Sequence, residues 1–315
     1  MIELLNVSKS FGPSVAVDDI SLTVKAAELC VLVGTSGCGK STTLRMINRL
    51  IAHTAGQIRI DGQAIDQLDP HTLRRRIGYA IQSIGLFPHW TVARNIAVVP
   101  RLLGWPAPRI AQRVDELLHL LDLPAAEFAG KYPNQLSGGQ AQRVGVARAL
   151  AGDPEILLMD EPFGALDPIT RDSLQNELLR IQAQLRKTIV FVTHDMDEAL
   201  KLANRIVVME KGRIVQQDTP QALLARPATA FVENLLGGQE RGLKQAGLQR
   251  VAALMQPLNA PGLRVVGPAL KTADSLRQAL SLMLWQRCTS LPVVDEQGVQ
   301  VGVLHVDSLL RGAPQ

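Results

Sequence analysis

Residues 29–42 read LCVLVGTSGCGKST, a short apolar run followed at once by a glycine-rich loop. The loop, residues 34–41, matches the pattern G-x-x-x-x-G-K-[ST], which binds phosphate when a strand precedes it and a helix follows it. Both elements are predicted here, because the apolar run is typical of a buried parallel strand and Leu44, Ile47 and Leu50 recur at helical spacing. A glycine-rich turn that contains lysine by chance is the alternative, and the flanking elements argue against it. The stretch therefore predicts an α/β fold with a phosphate site at the end of a strand.

Around this loop, the first 236 residues alternate strand-like and helix-like segments, which favours a largely parallel sheet. Residues from about 83 to 150 have helical periods and few β-branched runs, so we expect a helical subdomain there. Residues 237–246 begin with two glycines and predict a flexible linker. Residues 247–315 then predict a small α+β domain, made of a helix, a strand–turn–strand segment and a short closing helix.

Two further motifs have the residue types that phosphate chemistry needs. Residues 156–161 read ILLMDE, an apolar strand that ends in two carboxylates. Asp160 is suited to hold Mg²⁺ through its outer shell, and Glu161 is suited to polarise an attacking water. Alone, such an ending is more often a strand running out to solvent, but here it lies about 120 residues after a phosphate loop. Residues 136–140 read LSGGQ, with Ser137 placed to cap a helix.

In this order the motifs resemble those of the ABC ATPases, over about residues 1–237. The resemblance implies an ABC-type P-loop ATPase core with a helical subdomain, and ATP and Mg²⁺ as cofactors. The implied catalytic residues are Glu161, His194 and Gln82. The implied metal ligands are Ser41, Gln82 and Asp160. The implied ATP-binding residues are Phe11, Gly34, Thr35, Ser36, Gly37, Cys38, Gly39, Lys40, Ser41, Thr42, Ser137, Gly138, Gly139, Gln140 and Asp167.

The resemblance also implies that two copies of the chain work as a homodimer. The loop at residues 34–41 of one subunit would hold ATP, while Ser137, Gly138 and Gly139 of the other close over the γ-phosphate. Residues 165–167 match the loop that couples the two subunits. Each subunit alone would then carry half of two sites.

No apolar run in the sequence approaches the ~20 residues of a membrane helix, and the N-terminus lacks a signal-peptide core. We therefore expect a peripheral subunit on the cytoplasmic face of a bacterial inner membrane. The expected partners are transmembrane permease subunits and, indirectly, an extracytoplasmic solute-binding protein. Residues 78–100, 102–105 and 226–232 resemble the ATPase subunits of glycine betaine, choline and carnitine importers, which implies osmoprotectant import.

Residues 247–311 resemble a single CBS motif, through residues 275–280, 291–295 and 302–304. Osmoprotectant importers often carry such motifs in tandem, and this chain has room for one. A regulatory role is therefore an expectation, and an inert packing domain is the alternative.

The net charge of +4 is concentrated in residues 237–273, which carry five basic residues and one acidic residue. Because this stretch has no aromatic side chain that could stack on a base, we expect no nucleic-acid partner. Three alternatives stay open: an importer ATPase for another small solute, a soluble ABC ATPase outside transport, and a nucleotide sensor with vestigial activity. Intact Lys40, Glu161 and His194 argue against the last.

Overall fold

The chain is described from a computed structural model, which covers residues 1–81, 85–164, 166–258 and 268–311. It divides into two compact units, Met1–Pro220 and Gln221–Gln315. The sequence places the domain boundary later, at residues 236–237, and the domain limits stay a prediction.

The strands and helices follow one another along the chain in an alternating order. The strands are β1 (Ile2–Phe11), β2 (Ser14–Val24), β3 (Leu29–Val33), β4 (Ala55–Ile60), β5 (Gln63–Ala64), β6 (Ile77–Ala80), β7 (Ile156–Asp160), β8 (Thr188–Thr193), β9 (Arg205–Glu210), β10 (Arg213–Asp218), β11 (Gln256–Pro257), β12 (Leu270–Lys271), β13 (Ser290–Val294) and β14 (Gln300–His305). The α-helices are α1 (Lys40–Ile47), α2 (Pro70–Arg76), α3 (Val92–Ile96), α4 (Val98–Leu102), α5 (Ala107–Leu120), α6 (Ala125–Phe128), α7 (Gly138–Leu150), α8 (Pro168–Leu185), α9 (Met196–Leu202), α10 (Pro220–Ala225), α11 (Ala230–Leu235), α12 (Arg241–Leu248), α13 (Leu276–Gln286) and α14 (Val306–Arg311).

The central sheet of the first unit has the strand order β10-β9-β3-β8-β7-β6. All neighbouring strands in it are parallel except β9 and β10, which form an antiparallel hairpin. Every residue of β3, β7 and β8 is buried, as expected for strands that are covered on both faces. The predicted α/β core is therefore confirmed, and the carboxyl ends of β3, β7 and β8 meet at one edge.

A second, antiparallel sheet with the order β2-β1-β4-β5 packs against this core. It was not predicted, because β1 breaks the simple alternation of apolar and polar residues: its pairing with β2 is irregular, and Asn6 has φ of +49°. Apolar side chains of both sheets and of α1 form one buried cluster. Helix α1, which follows the glycine-rich loop, is thereby fixed from two sides.

Helices α3 to α7 lie between residues 92 and 150, within the range predicted to be helical. Asn95, fully buried, holds the segment before α3: its Oδ1 accepts the N–H of Phe87, and its Nδ2 donates to the carbonyls of Phe87, Trp90 and Thr91. Helix α7 returns to the central sheet, where it packs on β6.

The second unit has its own sheet, with the order β11-β14-β13-β12, and its own apolar cluster. Leu276, Ala279 and Met283 on α13 are buried in that cluster. Helix α12 occupies residues that the sequence predicts to be a linker. Across the described ranges of the chain, no helix combines the length and apolar character that a membrane crossing requires.

We predict that Gly78→Ala destabilises the first unit. A Cβ at Gly78 of β6 would lie 2.3 Å from the carbonyl oxygen of Ala149 on α7, so the helix would have to move off the sheet. Overpacking of this kind typically costs about 1–3 kcal/mol, which urea unfolding would measure. Gly130→Ala is the control, since nothing lies within 4 Å of a Cβ there. Equal stability of the two variants would contradict the prediction.

Candidate active site

The loop that joins β3 to α1 can be built only with glycine at two positions. Gly39, which precedes α1, has φ of +104°, and a Cβ on it would lie 2.6 Å from the carbonyl oxygen of Ala16. A Cβ on Gly34 would lie 2.1 Å from the carbonyl oxygen of Met209. The backbone therefore approaches its neighbours too closely for any side chain, and the loop curls tightly over the helix N-terminus. Such a turn directs backbone N–H groups and the helix dipole toward an anion.

Lys40 lies inside this loop rather than in solvent, with only 4% of the residue exposed. Its ammonium donates to the carbonyl oxygens of Gly34 and Thr35, at 2.8 and 2.9 Å, and lies 3.6 Å from Sγ of Cys38. A buried cation with only neutral partners is strongly attracted to an anion. Lys40 is thus positioned to exchange carbonyl oxygens for phosphate oxygens.

Ser41 and Asp160 form a direct link between α1 and the end of β7. The Ser41 hydroxyl donates to Oδ1 of Asp160 at 2.7 Å, and Asp160 is 4% exposed. A hydroxyl and a carboxylate at this separation fit Mg²⁺, which takes oxygen ligands and is usually held by one or two protein groups plus substrate phosphates. Among the described residues, no group of three or more His, Cys, Asp or Glu side chains is arranged around a metal.

Glu161 and His194 face each other at the ends of β7 and β8. Oε2 of Glu161 lies 3.0 Å from Nδ1 of His194, and the Glu161 N–H donates to the carbonyl of Val192 at 3.0 Å. Glu161 has φ of +45°, a conformation that is unfavourable for a residue with a Cβ and is commoner at functional sites. The Glu161 side chain is 18% exposed and that of His194 is 62% exposed. The carboxylate is therefore sheltered, while the imidazole lies open to a bound molecule.

The LSGGQ segment begins α7 with a complete capping box. Ser137 Oγ accepts the N–H of Gln140, and Gln140 Oε1 accepts the N–H of Ser137. Ser137 and Gly138 are exposed. Gly139 is packed on α8, because a Cβ there would lie 2.4 Å from Cγ2 of Thr170. The free N–H groups at this helix start can therefore bind an anion brought from outside the subunit.

Asp167 and Phe11 have structural environments of their own. Asp167 caps α8 and accepts the N–H groups of Ile169 and Thr170. A side-chain hydrogen bond from Thr170, followed by these backbone bonds, lowers the pKa of Asp167 below its ordinary value. Phe11 ends β1 with its ring half-exposed, and Nζ of Lys9 lies 4.8 Å from the ring centroid.

The structure thus brings together Lys40, Ser41, Asp160, Glu161 and His194 at one edge of the central sheet. It records no hydrogen bond between these groups and Ser137 or Phe11 of the same chain. Gln82 and residue 165 lie outside the described residues, so their placement stays a prediction. Sequence reasoning missed Asp195, which caps α9 directly after His194. An Asp just before an apolar helix is an N-cap signal that could have identified it.

Comparison with known proteins agrees with this geometry. The ABC transporter family profile matches residues 17–164, and the CBS domain profile matches residues 267–314. The chain is 53% identical to the glycine betaine uptake system ATP-binding protein YehX of Escherichia coli K12, over 98% of this chain and 99% of that protein. The chain belongs to the ATP-binding subunits of ABC transporters.

Two further relatives differ in how much of this ABC subunit they match. The glycine betaine/carnitine/choline transport ATP-binding protein OpuCA of Bacillus subtilis is 49% identical over 98% of this chain and 79% of its own length. The spermidine/putrescine import ATP-binding protein PotA of Chromobacterium violaceum is 45% identical, but over 75% of this chain and 64% of its own length. The first alignment spans 311 residues and the second 237.

Solved structures of ABC cassettes share the fold of the ATPase unit. The dimeric structure of MJ0796, a bacterial ABC transporter cassette, has a TM-score of 0.64 at 35% identity and covers 70% of this chain and 99% of its own. A dimeric post-hydrolysis state of the same cassette, bound to ADP and Pi, has a TM-score of 0.63 at 34% identity and the same coverage. The ABC subunit described here is accordingly an ATPase.

We predict that Glu161→Gln keeps ATP binding and nearly abolishes hydrolysis, because glutamine preserves the shape of the side chain but cannot accept a proton from water. Loss of a general base typically lowers the rate about 10²–10⁴-fold. The measurements are ATP binding and single-turnover hydrolysis. Glu155→Gln is the matched control: Glu155 directly precedes the same strand, with its side chain 75% exposed. Hydrolysis by the Glu161 variant within about tenfold of wild type would remove Glu161 from this role.

Proposed function

We propose that this chain powers an importer of quaternary-amine osmoprotectants such as glycine betaine. The supporting observation is the extent of similarity rather than its level. Relatives named for glycine betaine, choline or carnitine match 98% of the chain, including the second unit. The polyamine importer subunit is nearly as similar, yet its match spans only 237 residues. The second unit therefore distinguishes osmoprotectant importers from other importers that share the ATPase core.

The residues gathered at the sheet edge would have distinct roles toward ATP. The loop at residues 34–41 and Lys40 would hold the β- and γ-phosphates, and the Phe11 ring would stack on adenine. Glu161 would accept a proton from the attacking water, and His194 would contact the γ-phosphate. Ser41 and Asp160, with Gln82, would hold Mg²⁺, which when bound neutralises phosphate charge.

The exposed start of α7 would complete the site of a second copy of the chain. Ser137, Gly138 and Gly139 would close on the γ-phosphate held by the partner's glycine-rich loop, with their N–H groups stabilising developing charge. Two copies would then enclose two ATP molecules. Hydrolysis would remove the γ-phosphate that joins the two surfaces and so release the dimer.

The permease would dock on the helical subdomain. Helices α3 to α6 surround a largely apolar groove of about 570 Å³, whose lining includes Ala97, Ile110, Ala111 and Val114. Arg94, Arg101 and Asp115 line its edge. A short amphipathic helix of a membrane subunit matches this combination of an apolar floor and a charged rim. The chain would thus lie on the cytoplasmic face of a bacterial plasma membrane. An extracytoplasmic solute-binding protein would contact the permease only.

We predict that cells expressing the chain with its permease and binding protein take up labelled glycine betaine, and that Ala111→Arg abolishes uptake. The arginine would fill the groove, so the permease should no longer co-purify. Ala126→Arg is the matched control, because Ala126 is equally exposed but outside the groove. Wild-type uptake of another solute class, with none of glycine betaine, would overturn the osmoprotectant proposal. Normal uptake and co-purification with Ala111→Arg would overturn the docking site alone.

The second unit would regulate transport and pair with its copy in the partner subunit. Leu276 and Met283 pack inside the unit, but Leu284 and Trp285 at the end of α13 are 71% and 83% exposed. Adjacent large apolar side chains with such exposure are typical of an interaction site. A two-fold dimer would cover this surface on both copies at once.

We predict that residues 238–315 alone form a dimer in ultracentrifugation, and that Leu284→Ser with Trp285→Ser makes it a monomer. Val299→Ser is the control, since Val299 is also exposed but lies in a turn. A chain that ends after Gly237 should still hydrolyse ATP, and its assembled transporter should lose part of any dependence on ionic strength. A monomeric wild-type tail, or transport with an unchanged response to salt, would contradict the proposed pairing and regulation respectively.

A further inference from the structure

The first turn of α8 contains an arginine that contacts two functional loops at once. Arg171 lies four residues after the capping residue Asp167, and its Nη2 donates to the carbonyl oxygen of Leu166 at 3.0 Å. Its Nη1 lies 3.6 Å from Oδ2 of Asp195. One guanidinium thus spans the loop before α8 and the loop between β8 and α9. Only a planar fork with several donors can do this from one side chain.

Asp195 determines where the backbone of His194 lies. Its Oδ1 accepts the N–H groups of Asp197 and Glu198 at 2.8 and 3.1 Å, which caps α9. Its own N–H donates to Oγ1 of Thr193 at 3.0 Å. The residues on both sides of His194 are therefore fixed by hydrogen bonds. A displacement of the Asp195 carboxylate would move the imidazole relative to Glu161.

The same turn of α8 also touches the LSGGQ segment. Thr170 packs directly on Gly139, the position where a Cβ would lie 2.4 Å from the Thr170 methyl group. Adjacent residues of one helical turn thus contact the start of α7, the loop at Leu166 and Asp167, and the loop that carries His194. Because a helical turn is rigid, a shift at one of these contacts is transmitted to the other two.

Arg171 is not needed to hold α8 against α9. Lys201 of α9 pairs with Asp172 of α8 at 2.6 Å, and Gln175 donates to the buried Glu198 at 3.0 Å. The Arg171 side chain is 31% exposed, and pairs with that much solvent contact contribute little to stability. Its two contacts therefore call for an explanation other than helix packing.

We propose that Arg171 is a positioning residue that acts through Asp195 to hold His194 in its hydrolysis-competent place. The inference rests on the proposed role of His194. In the dimer, the turn that carries Arg171 belongs to the subunit whose LSGGQ segment closes on the partner's ATP. Arg171 therefore links closure at one ATP site to the position of His194 at the other.

The test is a double-mutant cycle on the full chain assembled with its permease. Arg171→Gln should lower kcat roughly 3- to 30-fold, a range typical of coupled residues, while the ATP concentration for half-maximal rate changes less than about twofold. In the His194→Ala background, the same substitution should change kcat by less than about twofold, because the residue through which it acts is gone. Asp195→Asn keeps the helix cap but removes the charge, so it should reproduce the loss. Arg171→Lys should restore part of the rate.

Lys201→Gln is the matched control, since it breaks an ion pair between the same two helices away from His194. It should leave kcat and the melting temperature unchanged. An equal loss with Lys201→Gln, or equal losses from Arg171→Gln with and without His194, would show a structural role and overturn the inference. A fully active His194→Ala variant would instead overturn the proposed role of His194, and this inference with it. An Arg171→Gln variant with wild-type kcat would overturn this inference alone.

Discussion

The active site depends on one geometric constraint: three parallel strands, β3, β7 and β8, lie side by side and end at the same edge. Each strand is continued by a residue with a chemical function, and the strand spacing of about 4.8 Å brings these residues within reach of one phosphate group. The Ser41–Asp160 and Glu161–His194 contacts are consequences of this register. The tight approach of Gly34 to the carbonyl of Met209 adds that the loop can sit over the sheet only if it has no side chain there. Substitutions that spread these strands would therefore be felt by every catalytic group.

Sequence patterns predicted this edge well, because its strands are fully buried and its motifs contain residue types with few structural alternatives. Residues 29–33, 156–160 and 188–193 are continuous apolar runs, and both covered faces explain why. The antiparallel sheet was missed because β1 carries polar residues on both faces and pairs irregularly with β2. The linker prediction at residues 237–246 followed from glycines, but Arg241–Leu248 form a helix that packs on α13. Local propensity was outweighed there by burial against a neighbour.

The phase of a helix is easier to predict than its partner. The spacing of Leu276, Leu280 and Met283 indicated one apolar face of α13, together with Leu284. In the structure Leu276 and Met283 face the core of their own unit, whereas Leu284 and the adjacent Trp285 do not. Periodicity identifies which residues share a side of a helix but says nothing of whether that side meets the same chain or another. The apolar surface available for a second copy is therefore smaller, and more sharply defined, than the sequence suggested.

Burial separates the half of the site that a subunit carries complete from the half that it offers to another. Lys40 and Asp160 are almost fully buried and prearranged by hydrogen bonds, as a binding site for a charged ligand requires. Ser137, Gly138 and Ile169, which is 84% exposed, lie open on the surface. An anion held at the buried half would present its outer charge to the exposed N–H groups of a second copy. Closure of the dimer then depends on the γ-phosphate, so its hydrolysis changes the free energy of association directly, and this is the work that an attached permease can use. Because the solute never enters this site, selection of the solute places no constraint on it, which explains how an ATPase core so similar to that of a polyamine importer subunit can occur with a different second unit.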